Sequence, residues 1–199
     1  MAQIQGKLLV TGFEPFGGQA LNPAWEAVRL LPDQVGGFEI SKLLVPTVFG
    51  LAAEVVLAQA EIVQPDAILC VGQAAGRASV TPEWVAINLR YGRIADNAGI
   101  CPRDEPVIPE GPDAYFSTLP ARTMADAIQR AGLPGEVSYS AGTFVCNDLL
   151  YCLLQSYHGS RIRVGFVHVP LLPEQAAENQ PSLPLSHIVS ALEVAIKVI

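Results

Sequence analysis

"CNDLLYCLLQSYHGSRIRVGFVHVP", residues 146–170, carries the reading on which the fold turns. Leu149, Leu150, Leu153 and Leu154 recur at helical spacing, and Gly159 follows as a stop signal. From Arg161 to Val169 the chain is a short apolar run closed by Pro170, the pattern of a strand buried on both faces. "EVSYS", residues 136–140, reads as the strand before the helix. The three pieces together predict a β-α-β unit, whose crossover is right-handed almost without exception.

The same alternation extends in both directions. "KLLVTG" (7–12), "FEISKLLV" (38–45), "DAILCVG" (66–72) and "EWVAINLRYG" (83–92) read as strands. "NPAWEAVRLLP" (22–32) reads as a helix with Asn22 as N-cap and Pro23 at its first position. Further helices are predicted in "VFGLAAEVVLAQAEIVQ" (48–64), in the later part of 113–132 and in "PLSHIVSALEVAIKVI" (184–199). Residues 93–112 form a loop with four prolines, long enough to suggest a functional role. The expected architecture is one domain, residues 1–199, folded as a three-layer αβα sandwich with a mostly parallel mixed sheet. Ligands of such folds sit beyond the carboxyl ends of the strands.

Composition narrows the function classes. Of 199 residues, 50% are hydrophobic and 16% charged, which suits a large core. The net charge of −7, with no Lys/Arg cluster, argues against nucleic acid and anionic membranes as partners. The start lacks the apolar region of a signal peptide, and no apolar run reaches the roughly 18–20 residues of a membrane span. A soluble cytoplasmic protein is expected, with Cys70, Cys101, Cys146 and Cys152 reduced. No C-x-x-C pair is present, so no metal site is expected.

Chemistry-bearing residues follow the strands. "TGFEPFGG" (11–18) lacks the lysine and glycine spacing of a phosphate loop, and Phe13 and Phe16 suit an apolar or amide ligand instead. In "VGQAAGR" (71–77), Gln73 can hydrogen-bond an amide, while Arg77 reads as a solvated surface charge. Cys146 stands at a helix start, where free amides and the positive end of the dipole favour a thiolate and can hold an oxyanion. Cysteine is equally a common small core residue. Cys70 and Cys152 read as core, and Cys101 as a loop thiol without an obvious partner. Among three histidines, His158 and His187 read as surface or capping residues. His168 lies 22 residues beyond Cys146, at the end of the next strand, where a right-handed crossover brings both to one edge of the sheet. A nucleophile with its base needs an orienting group. Glu83, opening an apolar stretch, is the first candidate and Asp96 the second.

With these segments in view, the chain resembles the pyroglutamyl peptidase I, or pyrrolidone-carboxylate peptidase, family. "TGFEPFGG", "NPAWEAV", "VPTVF", "VGQAAGR", "TPEWVAIN", "RIADN", "GPDAYFSTLP", "SAGTFVCN" and "GFVHVP" carry the resemblance in order along nearly the whole chain. It implies a cytosolic cysteine peptidase that removes an N-terminal pyroglutamyl residue from peptides through an acyl-enzyme. It also implies an αβα sandwich, no cofactor, and a homotetramer. The family's catalytic Cys, His and Glu fall on Cys146, His168 and Glu83. Its substrate pocket falls on Phe13, Phe16, Asn22, Gln73, Phe144 and Val145, with Arg93 and Ile94 as further matches. Where the family has an acidic residue and a proline, "YGRIADN" (91–97) has Tyr91 and Ala95. Two other readings stand beside this one: a different thiol amidase on the same scaffold, and a small-molecule binding domain without catalysis.

Overall fold

The computed structural model describes residues 6–199; the opening residues 1–5, on which the reading of the chain's start rests, lie outside the described residues. Strands β1 (Gly6–Phe13), β2 (Gln34–Val35), β3 (Phe38–Val45), β4 (Ala67–Gln73), β5 (Thr81–Pro82) and β8 (Arg163–Val169) form one sheet in the order β2-β3-β1-β4-β8-β5. The four central strands are parallel, and the short strands β2 and β5 close the edges antiparallel. Strands β6 (Val85–Ile87) and β7 (Ala114–Phe116) make a separate antiparallel pair. The helices are α1 (Pro23–Leu30), α2 (Leu51–Val63), α3 (Ala121–Arg130), α4 (Val145–Ser156) and α5 (Leu185–Ile196).

The two faces of the sheet sort by strand periodicity. Leu8, Val10, Leu69, Val71, Val167 and Val169 pack under α1, α3 and α5. Leu9, Phe13, Ile68, Cys70, Val164 and Phe166 face α2 and α4. Central strands covered on both faces are apolar throughout, and this is why they read as unbroken runs. The expected αβα sandwich with its mostly parallel mixed sheet is the fold observed. None of the described helices is long and apolar enough to cross a membrane.

Local signals placed the helices well. Asn22 Oδ1 accepts from Ala24 N at 3.1 Å, and Pro23 occupies the first turn of α1. Helix α2 ends at Val63, before Pro65. Two strand expectations need correction. "EWVAINLRYG" is extended only over Val85–Ile87, because Leu89 N turns back to Ile87 O and the Asn88 side chain bonds Ile108 N and O and Gly111 O. "EVSYS" does not form a strand of the main sheet. Its neighbourhood meets the β5 edge only through the isolated bridges Val80–Gly135 and Glu83–Ser138. Neither stretch builds a central strand, so the crossover preceding α4 starts from an irregular segment.

The long loop is anchored rather than loose. Asp96 accepts from Ala98 N, Ile100 N and, across the molecule, Phe49 N, all within 2.9 Å. Asn147 and Asp148, next to Cys146, have the same kind of task. Asn147 bonds Ile87 N, Ile87 O and Leu89 O, and buried Asp148 accepts from Arg90 Nε and Gly50 N. They pin the first turn of α4 to the loops around it, which fixes where Cys146 stands.

One core thiol gives the fold a pH signature. Burial pushes the Cys70 thiol up to about 12, against about 8.5 for a free cysteine. A raised pKa leaves stability intact below the unfolded value, and the loss grows as pH rises from there toward the folded value. Between pH 7.5 and 10 the parent protein should lose about 1–2 kcal/mol more unfolding free energy than Cys70→Ala does. Urea titrations at the two pH values measure this; parallel losses in parent and variant would contradict it.

Candidate active site

His168 is the sixth residue of β8 and lies in register with Gly72 of β4 on one side and Thr81 of β5 on the other. It shares a sheet face with Phe166, toward α4. Cys146 occupies the second position of α4, whose start has Phe144 as N-cap and no side-chain cap. The first-turn amides of α4 are thus left without a side-chain acceptor. Gly72 makes room for the sulfur: a Cβ there would stand 2.9 Å from Cys146 Sγ and 2.7 Å from the Phe166 ring. Only glycine lets the thiol lie over β4 beside the strand that carries His168.

Glu83 reaches the same place from the sheet edge. Beyond β5 it continues antiparallel to β8, with Glu83 N bonded to Phe166 O at 2.8 Å. Its side chain therefore falls on the face of Thr81 and His168, and His168 Nδ1 lies 2.7 Å from Glu83 Oε1. The carboxylate is fully buried. Asp96, the second candidate, spends its carboxylate on backbone amides of its own loop and of Phe49.

The electrostatics follow from this geometry. Burial raises the Glu83 carboxyl, but the hydrogen bond from His168 and the charge that ring carries when protonated, then Arg77 and Ser138, together bring it below the usual value. The carboxylate is ionised and accepts the Nδ1 proton, so a ring that carries no second proton turns Nε2 outward as an acceptor. Cys146 keeps some exposure as a residue, yet its sulfur sits deep. Burial first, then the Glu83 charge, push its thiol up to about 12, with Arg77 offsetting part. Burial therefore opposes the thiolate that the helix start favours. Ionisation of the sulfur requires a nearby base to take its proton.

A cavity of about 580 Å³ opens over these groups, lined by both Cys146 and His168. Of the expected pocket residues, Phe13, Phe16, Asn22, Gln73, Arg93, Ile94 and Phe144 line it. Phe144 contacts Phe16 and Phe49, with centroid distances of 5.9 and 5.1 Å, so the aromatic wall is braced. Gln73 Oε1 is buried and has no hydrogen-bond partner among the described residues. Asn22 is already engaged, capping α1 and donating to Glu14 O; it fixes the first loop. Arg93 and Ile94 are exposed at the rim. Val145 lies outside the lining, its side chain fully buried in the core under α4. His158 packs on Tyr115, and His187 sits in the first turn of α5.

Arg77, read from the sequence as a solvated charge, instead lines the cavity and binds Glu83 Oε1 at 2.7 Å. The local signal for it was thin: Glu83 is the nearest acid along an otherwise uncharged stretch. Tyr91 and Thr143 also line the cavity and were not anticipated; they bond each other's backbone at 2.9 and 3.0 Å.

The chain as a whole is similar to known proteins. A family model described as pyroglutamyl peptidase matches residues 6–199. The pyrrolidone-carboxylate peptidase of Levilactobacillus brevis is 50% identical over 197 residues, covering 97% of each chain. That of Vibrio vulnificus is 52% identical over 190 residues, covering 94% of this chain and 90% of the relative. Among solved structures, pyroglutamyl peptidase I of Bacillus amyloliquefaciens superposes with a TM-score of 0.93 at 47% identity, over 98% of this chain and 96% of that one. The pyrrolidone carboxyl peptidase of Thermococcus litoralis gives a TM-score of 0.92 at 33% identity, over 98% and 93%.

Proposed function

This chain belongs to the pyroglutamyl peptidase family, and on that premise we propose that it hydrolyses N-terminal pyroglutamyl residues from peptides with Cys146, His168 and Glu83 as its catalytic groups. The observation that carries the assignment is the His168–Glu83 pair beside Cys146, at the carboxyl ends of β4 and β8 under one cavity. Among thiol amidases the reading is narrowed by the relatives' shared activity, and a binding domain without catalysis has no use for a buried carboxylate on an imidazole.

Pyroglutamate has its nitrogen in a lactam, so its recognition needs no counter-charge. A flat apolar slot and a few amide-matching hydrogen bonds suffice. Phe13, Phe16 and Phe144 supply the slot, and Gln73 Oε1 is a free acceptor for the lactam N–H. Asn22 acts through the loop it fastens.

In the reaction, His168 takes the thiol proton as Sγ bonds to the carbonyl carbon that follows the ring. Glu83 favours the imidazolium so formed. First-turn amides of α4, with Arg93 at the rim, hold the oxyanion. His168 then gives its proton to the leaving nitrogen, the carbon–nitrogen bond breaks and a thioester remains. Water, deprotonated by His168, releases pyroglutamate and restores the thiol. The chemistry asks for neither metal nor cofactor.

One domain spanning the chain, assembled as a cytoplasmic homotetramer, completes the reading. Four free cysteines are in keeping with a reducing compartment. Trp84, Phe116 and Tyr139 are exposed outside the cavity and offer an aromatic surface for contact between copies.

The test is a panel of anilides. Pyroglutamyl anilide should be cleaved, while prolyl, glutaminyl and glutamyl anilides should have kcat/KM lower by about 100-fold or more. Prolyl anilide lacks the lactam carbonyl, and the open-chain substrates bring a charged amine to an apolar wall. Comparable rates on all four would point to a general thiol amidase.

A further inference from the structure

Arg77 is tied to the catalytic groups on three sides. One guanidinium nitrogen, Nη1, donates to Glu83 Oε1 at 2.7 Å and also to Thr81 Oγ1. The other, Nη2, donates to Ser140 O at 3.0 Å, in the loop that leads into α4 and Cys146. Thr81 Oγ1 in turn bonds the carbonyl of His168. Glu83 Oε1 therefore receives Arg77 and His168 Nδ1 together, while Glu83 Oε2 is buried without a hydrogen-bond partner among the described residues. The guanidinium side is about one-quarter exposed, lining the substrate cavity and a lateral hollow of about 550 Å³.

We propose that Arg77 is a positioning residue for the peptidase reaction: its fork fixes which Glu83 oxygen faces His168, keeps that carboxylate ionised while the ring is neutral, and ties the nucleophile's loop to the same carboxylate. The proposal rests on the assignment of Cys146, His168 and Glu83 as the catalytic groups. A buried carboxylate facing only a neutral imidazole would be uncompensated and would take up a proton. A protonated Glu83 could donate to His168 Nδ1, and the ring would then present the wrong nitrogen, N–H outward, to the thiol. Arg77 supplies the missing charge at the same oxygen that faces the ring, and its planar guanidinium, held also by Ser140 O, sets the angle that an ammonium would leave free.

The other groups facing this cluster are few. Cys146 lies across the cavity floor with Cys70 behind it, and Arg93 stands at the rim. Glu136 lines the lateral hollow with Arg77 and accepts from Ser79 Oγ. Removing the Arg77 cation makes it harder to deprotonate Glu83 and Cys146 alike, so the acid limb of the pH profile moves in one direction only, upward.

The experiment measures kcat and KM on pyroglutamyl anilide across pH for Arg77→Gln, Arg77→Lys and Cys146→Ala. Arg77→Gln is expected to move the acid limb of kcat/KM up by about one pH unit and to lower kcat at neutral pH about 10–100-fold, with KM within about threefold. Arg77→Lys keeps the charge without the fork. It should recover most of the limb position but less of kcat, and it answers the question if the glutamine variant does not fold. In a Glu83→Gln background, Arg77→Gln should produce no further shift of the limb. A wild-type limb in both Arg77 variants, or a KM that rises as far as kcat falls, overturns the proposal. If Cys146→Ala retained turnover, the catalytic assignment itself would fall; a dead Cys146→Ala beside an unmoved limb would sink the role of Arg77 alone.

Discussion

Cys146→Ala should fold as the parent does and lose turnover on pyroglutamyl anilide by a factor on the order of 10⁴ or more. The size of the loss follows from the surroundings of the sulfur. No other thiol can take its place. Cys70 lies on the same face of β4 but is fully buried beneath Gly72. The Cys101 sulfur is bonded to Gly92 O at 3.3 Å, and Cys152 packs against the core from within α4. The stability cost should stay near 1 kcal/mol, because one atom is removed from the floor of a cavity that is already open. A thermal melt within a few degrees of the parent, combined with lost activity, is the expected pair of results. Retained turnover in a folded variant would refute the nucleophile.

The architecture was largely readable along the chain because central parallel strands are apolar on both faces and the helices between them carry caps and stops. Asn22 with Pro23 and the stretch before Pro65 are local signals that need no tertiary information. The convergence of Cys146 and His168 was legible from their separation of one helix and one strand, although the strand expected before α4 is absent: β8 runs back along α4 and ends where the helix begins. Edge features were less legible. β5 is two residues long, and what places Glu83 is its backbone bond to Phe166 rather than any pattern in "TPEWVAIN". "EVSYS" has strand-like residues yet meets the sheet only at isolated bridges, since pairing is decided by the partner as much as by propensity. Arg77 is the clearest case. A lone arginine in a loop is normally solvated, and only the fold brings its fork onto a carboxylate six residues away along an edge that bends back.

That fork decides what Glu83→Gln should do. In general, replacing the carboxylate behind a catalytic histidine by an amide invites the amide nitrogen to face the ring, which traps the wrong tautomer and costs about 10⁴ in rate. Here the Oε1 position receives a donor from Arg77 as well as from His168 Nδ1, whereas Oε2 receives neither. An amide placed with its nitrogen at Oε1 would set two donors against the guanidinium, so the Gln oxygen should occupy that position and the tautomer should survive. What disappears is the negative charge that favours the imidazolium. The expected loss in kcat is therefore smaller than for a tautomer trap, about 10²–10³, with KM within about threefold, because the charge matters once His168 has taken the thiol proton. Asp96→Asn is the matched control: its carboxylate serves backbone amides of the long loop, so it should affect stability before kcat. An unchanged kcat in Glu83→Gln, together with a loss in Asp96→Asn, would transfer the orienting role to Asp96. A loss of 10⁴ or more would show that the amide had turned despite Arg77.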